Sequence, residues 1–195
     1  MNSLRFRLAL WISVLCLTSP PWASGQEGVF LKEEEAARAV FPDADSFERR
    51  VIQSSEELRA KIRQRLGNTK TSLWESAYPT FIARKGKTLL GYAVVVEEIG
   101  KHRPITFIVA VGPDRRIRDA ALMVYREAYG GEVRDRRFLQ QYRGKSLKDP
   151  LLPYRDIQNI SGATLSVEAI GRGSKKALAL VEIIYLDGAG PKRQP

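Results

Sequence analysis

Three hydroxyl-bearing residues, Ser161, Thr164 and Ser166, crowd the stretch Asn159-Ile160-Ser161-Gly162-Ala163-Thr164-Leu165-Ser166, just ahead of the longest apolar-periodic run in the sequence. A glycine-containing loop that opens a helix is an anion site. The first-turn amides lack partners and the axial dipole is positive there. Gly162 and Ala163 let a backbone or a ligand approach closely, and Thr164 and Ser166 place hydroxyls at the mouth. These features suit a phosphate. They equally suit plain N-capping by Ser161, Thr164 or Ser166.

A second stretch, Glu127-Ala128-Tyr129-Gly130-Gly131, follows a predicted strand. Taken alone it reads as a loop acid beside a tight turn. Little else in the chain could do chemistry. Cys16 is the only cysteine and lies in the N-terminal segment; the only histidine, His102, sits in the basic turn Lys101-His102-Arg103-Pro104. Once a leader is removed, disulfides, cysteine-bound clusters and a Cys-x-x-Cys-His haem site are excluded. One histidine without cysteine builds no tetrahedral metal site.

The elements that must position these loops are legible in pattern. Glu33 to Phe41 reads as a short helix with acids in its first turn and a stop at Phe41-Pro42. Ser46 to Ile52 reads as a strand. Ser54 with Glu57 forms a capping box for a helix over 55–66, whose apolar stripe is Leu58, Ile62 and Leu66 and whose stop is Gly67. Four β-rich runs follow, Thr80 to Arg84, Thr88 to Glu97, Ile105 to Val111 and Arg116 to Tyr125, joined by short turns. They predict an antiparallel meander. Arg136 to Tyr142 reads as a short helix. From Leu165 to Tyr185 the positions Ile170, Gly173, Ala177, Val181 and Ile184 recur at helical spacing, with small residues that suit close packing on a sheet. The fold class is α+β: an antiparallel meander sheet packed by helices, with a small helical N-terminal segment.

Residues 1–25 have the order of a secretory signal. Arg5 and Arg7 are followed by the apolar run Leu8 to Leu17 and the small cluster Ala23-Ser24-Gly25. The segment is either cleaved or kept as an N-terminal anchor; Leu15 before Cys16 is too large for a lipoprotein cut. The formal charge of the 195-residue chain is +10. The basic residues are scattered and no nucleic-acid module is present. An anionic membrane surface or an acidic redox partner fits the charge better.

Ser161-Gly162-Ala163-Thr164 with the following Leu165 and Ser166 resembles the flavinylation motif of the FMN-binding domain family. That family includes flavin subunits of sodium-pumping membrane electron-transport complexes and a regulator of nitrous oxide respiration. The resemblance implies FMN esterified through its phosphate to Thr164, with Ser161, Gly162 and Ala163 as the recognition loop, the bond being made by a separate flavin transferase outside the cytoplasm. It also implies that Glu127, Tyr129, Gly130 and Gly131 contact the flavin, since "YREAYGGEV" followed by "RFLQQYRGK" is similar to a loop of that family. Two positions depart from the pattern. The second loop lacks its usual proline, and Gln158 stands where an aspartate is usual, with Asp156 two residues earlier as a candidate substitute.

The resemblance covers roughly Tyr78 to Tyr185. On it, the chain divides into a signal segment 1–25, an N-terminal helical extension 26–75, an FMN-binding domain 76–187 and a tail 188–195. It implies an exported, periplasmic or otherwise extracytoplasmic electron carrier between a membrane-bound donor and an extracytoplasmic acceptor. The basic excess would favour a reduced, anionic flavin, and Trp74, Tyr92, Tyr125 and Tyr129 are candidate stacking partners. A small flavin-dependent reductase, and a sensory module holding flavin noncovalently or not at all, are the alternatives.

Overall fold

The computed structural model describes residues 28–187; the signal-like segment and the tail lie outside them. Elements run in the order α1 (Glu33–Val40), β1 (Ser46–Gln53), α2 (Glu56–Leu66), β2 (Ala77–Lys85), β3 (Thr88–Ile99), β4 (Pro104–Val111), β5 (Ile117–Val124), α3 (Arg136–Leu139) and α4 (Thr164–Val181). Short 3-10 turns flank α3, at Gly131–Arg134 and Gln140–Tyr142, and a wide π-type turn, Glu182–Leu186, extends α4.

The sheet is an antiparallel meander in the order β1-β2-β3-β4-β5. It has five strands where the turn pattern predicts four. Ser46 to Ile52, expected as a strand, pairs with β2 from Ser46↔Arg84 to Gln53↔Ala77, although α2 intervenes in sequence. The N-terminal segment therefore supplies the sheet's edge as well as two helices. At the other edge, residues 28–31 run beside the end of β5. Tyr125 donates its N–H to the Gly28 carbonyl at 2.7 Å and Phe30 to that of Met123 at 2.8 Å.

Both sheet faces are covered. On one, Ala36, Ala37 and Val40 of α1, with Phe41 just after it, pack on Phe81, Ala93, Val95, Ile108 and Ala110. On the other, α2 and α4 meet Tyr78, Val94, Val96, Phe107 and Val109. The stripe Leu58, Ile62, Leu66 is buried as its spacing predicts. The cap of α2 falls one residue later than expected: Ser55, not Ser54, accepts the N–H of Leu58 at 3.1 Å. The Ser54 hydroxyl instead accepts Nε of Arg59 at 3.0 Å.

In α4 the predicted face Ile170, Gly173, Ala177 and Val181 is buried, and so is much of the opposite side. Tyr185 beyond it stacks on Tyr92, with centroids 4.5 Å apart, and its hydroxyl meets that of Thr80 at 2.6 Å. Lys176 is completely buried. Its ammonium donates to Glu75 at 2.6 Å and to the carbonyls of Ser72 and Glu97 at 2.8 and 2.6 Å, with Glu98 at 3.4 Å. The net effect is to strap the segment before β2 across the helix. Glycines let the chain come equally close elsewhere. A Cβ on Gly171 would lie 2.1 Å from the Leu151 carbonyl oxygen.

The loop after β5 is pinned to the β3–β4 turn by Glu127, whose Oε1 accepts the N–H groups of His102 at 2.7 Å and Arg103 at 3.0 Å. Burial pushes this carboxyl up, but the amides of Arg103, His102 and Lys101 outweigh it and hold the group below its ordinary value.

Two outcomes follow from these contacts. Gly171→Ala gains about 1 kcal/mol of helix propensity. It loses about 1–3 kcal/mol by driving a methyl into a backbone carbonyl, so the urea midpoint falls. Glu127 titrates lower folded than unfolded, so its contribution is present above about pH 4 and disappears as the pH drops through the folded value. Glu127→Gln is therefore less stable than the parent near neutral pH, and the gap between their urea midpoints narrows as the pH drops below the ordinary glutamate range.

Candidate functional site

The helix that carries Thr164 begins without a side-chain cap. Ala163 is the N-cap residue, buried, with φ −123° and ψ 15°, and the first intrahelical bond runs from Val167 N–H to its carbonyl at 2.9 Å. None of Ser161, Thr164 or Ser166 performs the capping that the sequence alone left open. Ser161 and Gly162 are exposed, Gly162 in the left-handed region at φ +78°, where a side chain would be strained. Leu165 is 47% exposed and Thr164 partly so. Thr164 is thus partly accessible, at a helix start that carries no side-chain cap.

The second predicted loop comes to the same place. Gly130 has φ +79°, and a Cβ on it would lie 2.5 Å from that of Ala163. Only glycine permits this approach. Tyr125 completes the join. Its phenol donates to the Tyr129 carbonyl at 2.5 Å and lies 3.1 Å from the Ser166 hydroxyl, tying the end of β5 to the first turn of α4. Burial raises the Tyr125 pKa, opposed in part by the Ser166 hydrogen bond, so the phenol stays protonated at neutral pH.

On the far side of that seam opens a cleft of about 930 Å3, lined by Phe30, Leu31, Ala120, Leu122 and Tyr129 to Gly131 among others. Ser161 to Leu165 do not line it. They stand beside it, with Gly130 between. Asp119, buried at one end, is held by Arg143 at 2.6 Å and Arg136 at 3.2 Å. The cleft has the size of a cofactor site. Glu127 does not contribute its carboxylate to it, since that group faces the β3–β4 turn.

The residue that touches the threonine hydroxyl is one the motif itself does not point to. Asn159 Nδ2 donates to Thr164 Oγ1 at 2.9 Å and to the Tyr154 hydroxyl at 2.6 Å. Its Oδ1 is buried without a partner among the described residues. Asp156, the candidate substitute for the usual aspartate, is occupied elsewhere. It takes the ammonium of Lys145 at 3.0 Å and the amides of Leu151 and Leu152 at 3.2 and 2.9 Å. The exposed Gln158 makes its bond through its main chain, donating N–H to Gln141 at 2.7 Å.

Among the aromatic candidates, Tyr92 is committed to Tyr185 and Tyr125 is buried. Trp74 lies beside Glu97, away from the cleft. Tyr129 remains, 81% exposed, and Tyr154, which no sequence pattern singles out, is 79% exposed next to Asn159. Among the described residues no cluster of His, Cys, Asp or Glu could hold a metal, and no helix is long and apolar enough to cross a membrane.

Residues 100–179 match the model of the FMN-binding domain family. In Clostridium ljungdahlii, the G component of the proton-translocating ferredoxin:NAD(+) oxidoreductase complex is 29% identical over 109 residues. That match covers 52% of this chain, and the chain spans 58% of the length of the relative. The crystal structure of Shewanella oneidensis NqrC superposes with a TM-score of 0.54 at 18% identity, over 78% of this chain and 87% of that one. At this identity the likeness is one of fold. The matched segment contains both loops and the uncapped helix start, so the part of the chain that resembles the FMN-binding domain family is the part that builds this site.

Proposed function

We propose that this is an exported flavoprotein that carries FMN in phosphoester linkage on Thr164 and relays electrons between a membrane-bound donor and an extracytoplasmic acceptor. The observation that carries the reading is the uncapped start of α4, with a partly exposed threonine, separated by the Gly130 loop from a cleft of cofactor size. The residues present fit the group. A phosphate on Thr164 lies at the positive end of an 18-residue helix. Gly162 leaves open space beside the loop, and Asn159 holds the hydroxyl in place. Tyr129 and Tyr154 offer exposed faces for a planar ring system.

When bound, the flavin supplies reversible electron acceptance. The chain supplies retention and orientation. An exported protein cannot draw on a cytosolic pool of cofactor, and a covalent bond makes occupancy independent of pocket affinity. The relative's placement in an oxidoreductase complex supports an electron-relay role over substrate turnover. Maturation then needs a flavin transferase, and the basic surface favours an anionic partner or an anionic membrane surface.

Mass spectrometry of the exported chain, made together with a flavin transferase, tests this. The parent gains one FMN less water on the peptide containing Thr164. Thr164→Val folds with an unchanged melting temperature and gains nothing. An unmodified Thr164 in the parent overturns the proposal. Asn159→Ala, which frees the hydroxyl to rotate, still reaches full loading but incorporates flavin about tenfold or more slowly, read from the initial rate of the same mass shift.

A further inference from the structure

A second cleft, of about 500 Å3, lies between α4, residues 68–70 and the loop 148–155. Its rim carries Lys70, Lys148, Arg155 and Lys175, and none of the four has an ion-pair partner among the described residues. The one carboxylate in its lining, Asp149, is turned to the N–H and hydroxyl of Ser146, at 2.8 and 2.9 Å. The large cleft mixes the two signs: Asp119, Glu132 and Asp135 face Arg134 and Arg136 there. The lining among these cations includes the apolar Pro150, Leu151 and the 37%-exposed Leu152.

The loop that forms one wall is rigidly held. Leu151 and Tyr154 are both fixed in the left-handed region, at φ +53° and +64°. Asp156 fastens the loop from beneath through Lys145 and the amides of Leu151 and Leu152. A wall fixed in advance loses little entropy on binding.

We infer that this cleft is the docking surface for an acidic protein partner, one that presents an apolar side chain ringed by carboxylates. An apolar centre inside a charged rim is the anatomy of a protein interface. A small inorganic anion would gain nothing from the apolar surface that lies among these cations. A lipid surface is met by a projecting amphipathic face, and this feature is concave. The position adds a function. Gly171, in the wall, is seven residues along α4 from Thr164, about 10 Å at helical rise, and the same loop delivers Tyr154 to Asn159. A partner seated here lies about two helical turns from the residue proposed to carry the flavin. That this partner exchanges electrons rests on the function proposed above; the docking itself does not.

The probe is a short synthetic peptide with a leucine-phenylalanine centre flanked by glutamates, its binding to the full chain followed by fluorescence anisotropy. The parent binds it, and more weakly as salt rises. Lys148→Glu combined with Lys175→Glu weakens binding about tenfold or more. The same reversal at Lys85 and Lys87, exposed in the β2–β3 turn, changes it less than about twofold. Flavin loading of Thr164 is measured on all three chains. Peptide binding with no flavin on Thr164 upholds the docking surface while removing the electron-carrier reading. Flavin loading without peptide binding, or equal losses in the two double variants, overturns the docking surface. So does association with phosphatidylglycerol vesicles that Lys148→Glu/Lys175→Glu abolishes while the peptide fails to bind.

Discussion

A single buried ammonium fixes the helix on which the site depends. Lys176 is withdrawn from water entirely, which costs several kcal/mol before any partner is counted. The partners are complete: the Glu75 carboxylate and two main-chain carbonyls take its donors, and Glu98 adds a second negative charge at 3.4 Å. Glu98 in turn accepts the Thr71 hydroxyl and the Ser72 N–H, and stands 3.7 Å from Arg172 one turn earlier on the same helix. A buried pair of this kind is a poor source of net stability. It is a strong constraint on register, because sliding α4 by a turn leaves a buried charge alone, at about 3–5 kcal/mol. Thr164 opens the helix that Lys176 anchors, so the place where its hydroxyl emerges is set by where Lys176 is held.

At the other end of α4 the constraint is steric. Gly130 sits against Ala163 with no room for a Cβ, and Tyr125 bridges the two loops from below with one phenol. The small residues of the Ser-Gly-Ala-Thr run thus answer two needs at once. Ala163 is small because a second loop packs on it, and Gly162 is glycine because its φ is positive. Neither needs a ligand for its explanation. What packing leaves unexplained is a helix start with no side-chain cap that opens on a partly exposed threonine, the features on which a phosphate would act.

What the sequence revealed, and what it hid, divides by the range of the interaction. The meander strands, the stripe of α2 and the inner face of α4 are local periodicities and are legible. Ser54 and Ser55 are adjacent serines, so a capping pattern cannot separate them by one residue. That β1 joins β2 rests on pairings across α2 that no local pattern encodes. Lys176 reads as half of a basic pair, Lys175-Lys176, and its burial depends on Glu75, Glu98 and two main-chain carbonyls some eighty to a hundred residues away. Glu127 is expected at the flavin; a carboxylate following a strand serves equally to cap a neighbouring turn, and three main-chain donors at Lys101 to Arg103 claim it. Asp156 is taken by its own loop for the same reason. The signal for Asn159 is present, a carboxamide just ahead of the hydroxyl run. The chain must fold back at Ile160 to Ala163 before it touches Thr164.

Openness is the property that joins the site to its proposed role. Tyr129 and Tyr154 show most of their surface, and Ser161, Gly162 and Leu165 are exposed. A noncovalent ligand held in such surroundings gives up little of its own area to the protein, and affinity falls with the area it keeps. Burying the site deeper would restore affinity but would also move the cofactor away from any protein that must exchange electrons with it. A tether at the phosphate end removes the first requirement without imposing the second. On the function proposed, the ring would be left free to face a partner, and the chain's own task would be reduced to holding one hydroxyl, one helix end and one rigid loop in fixed relation.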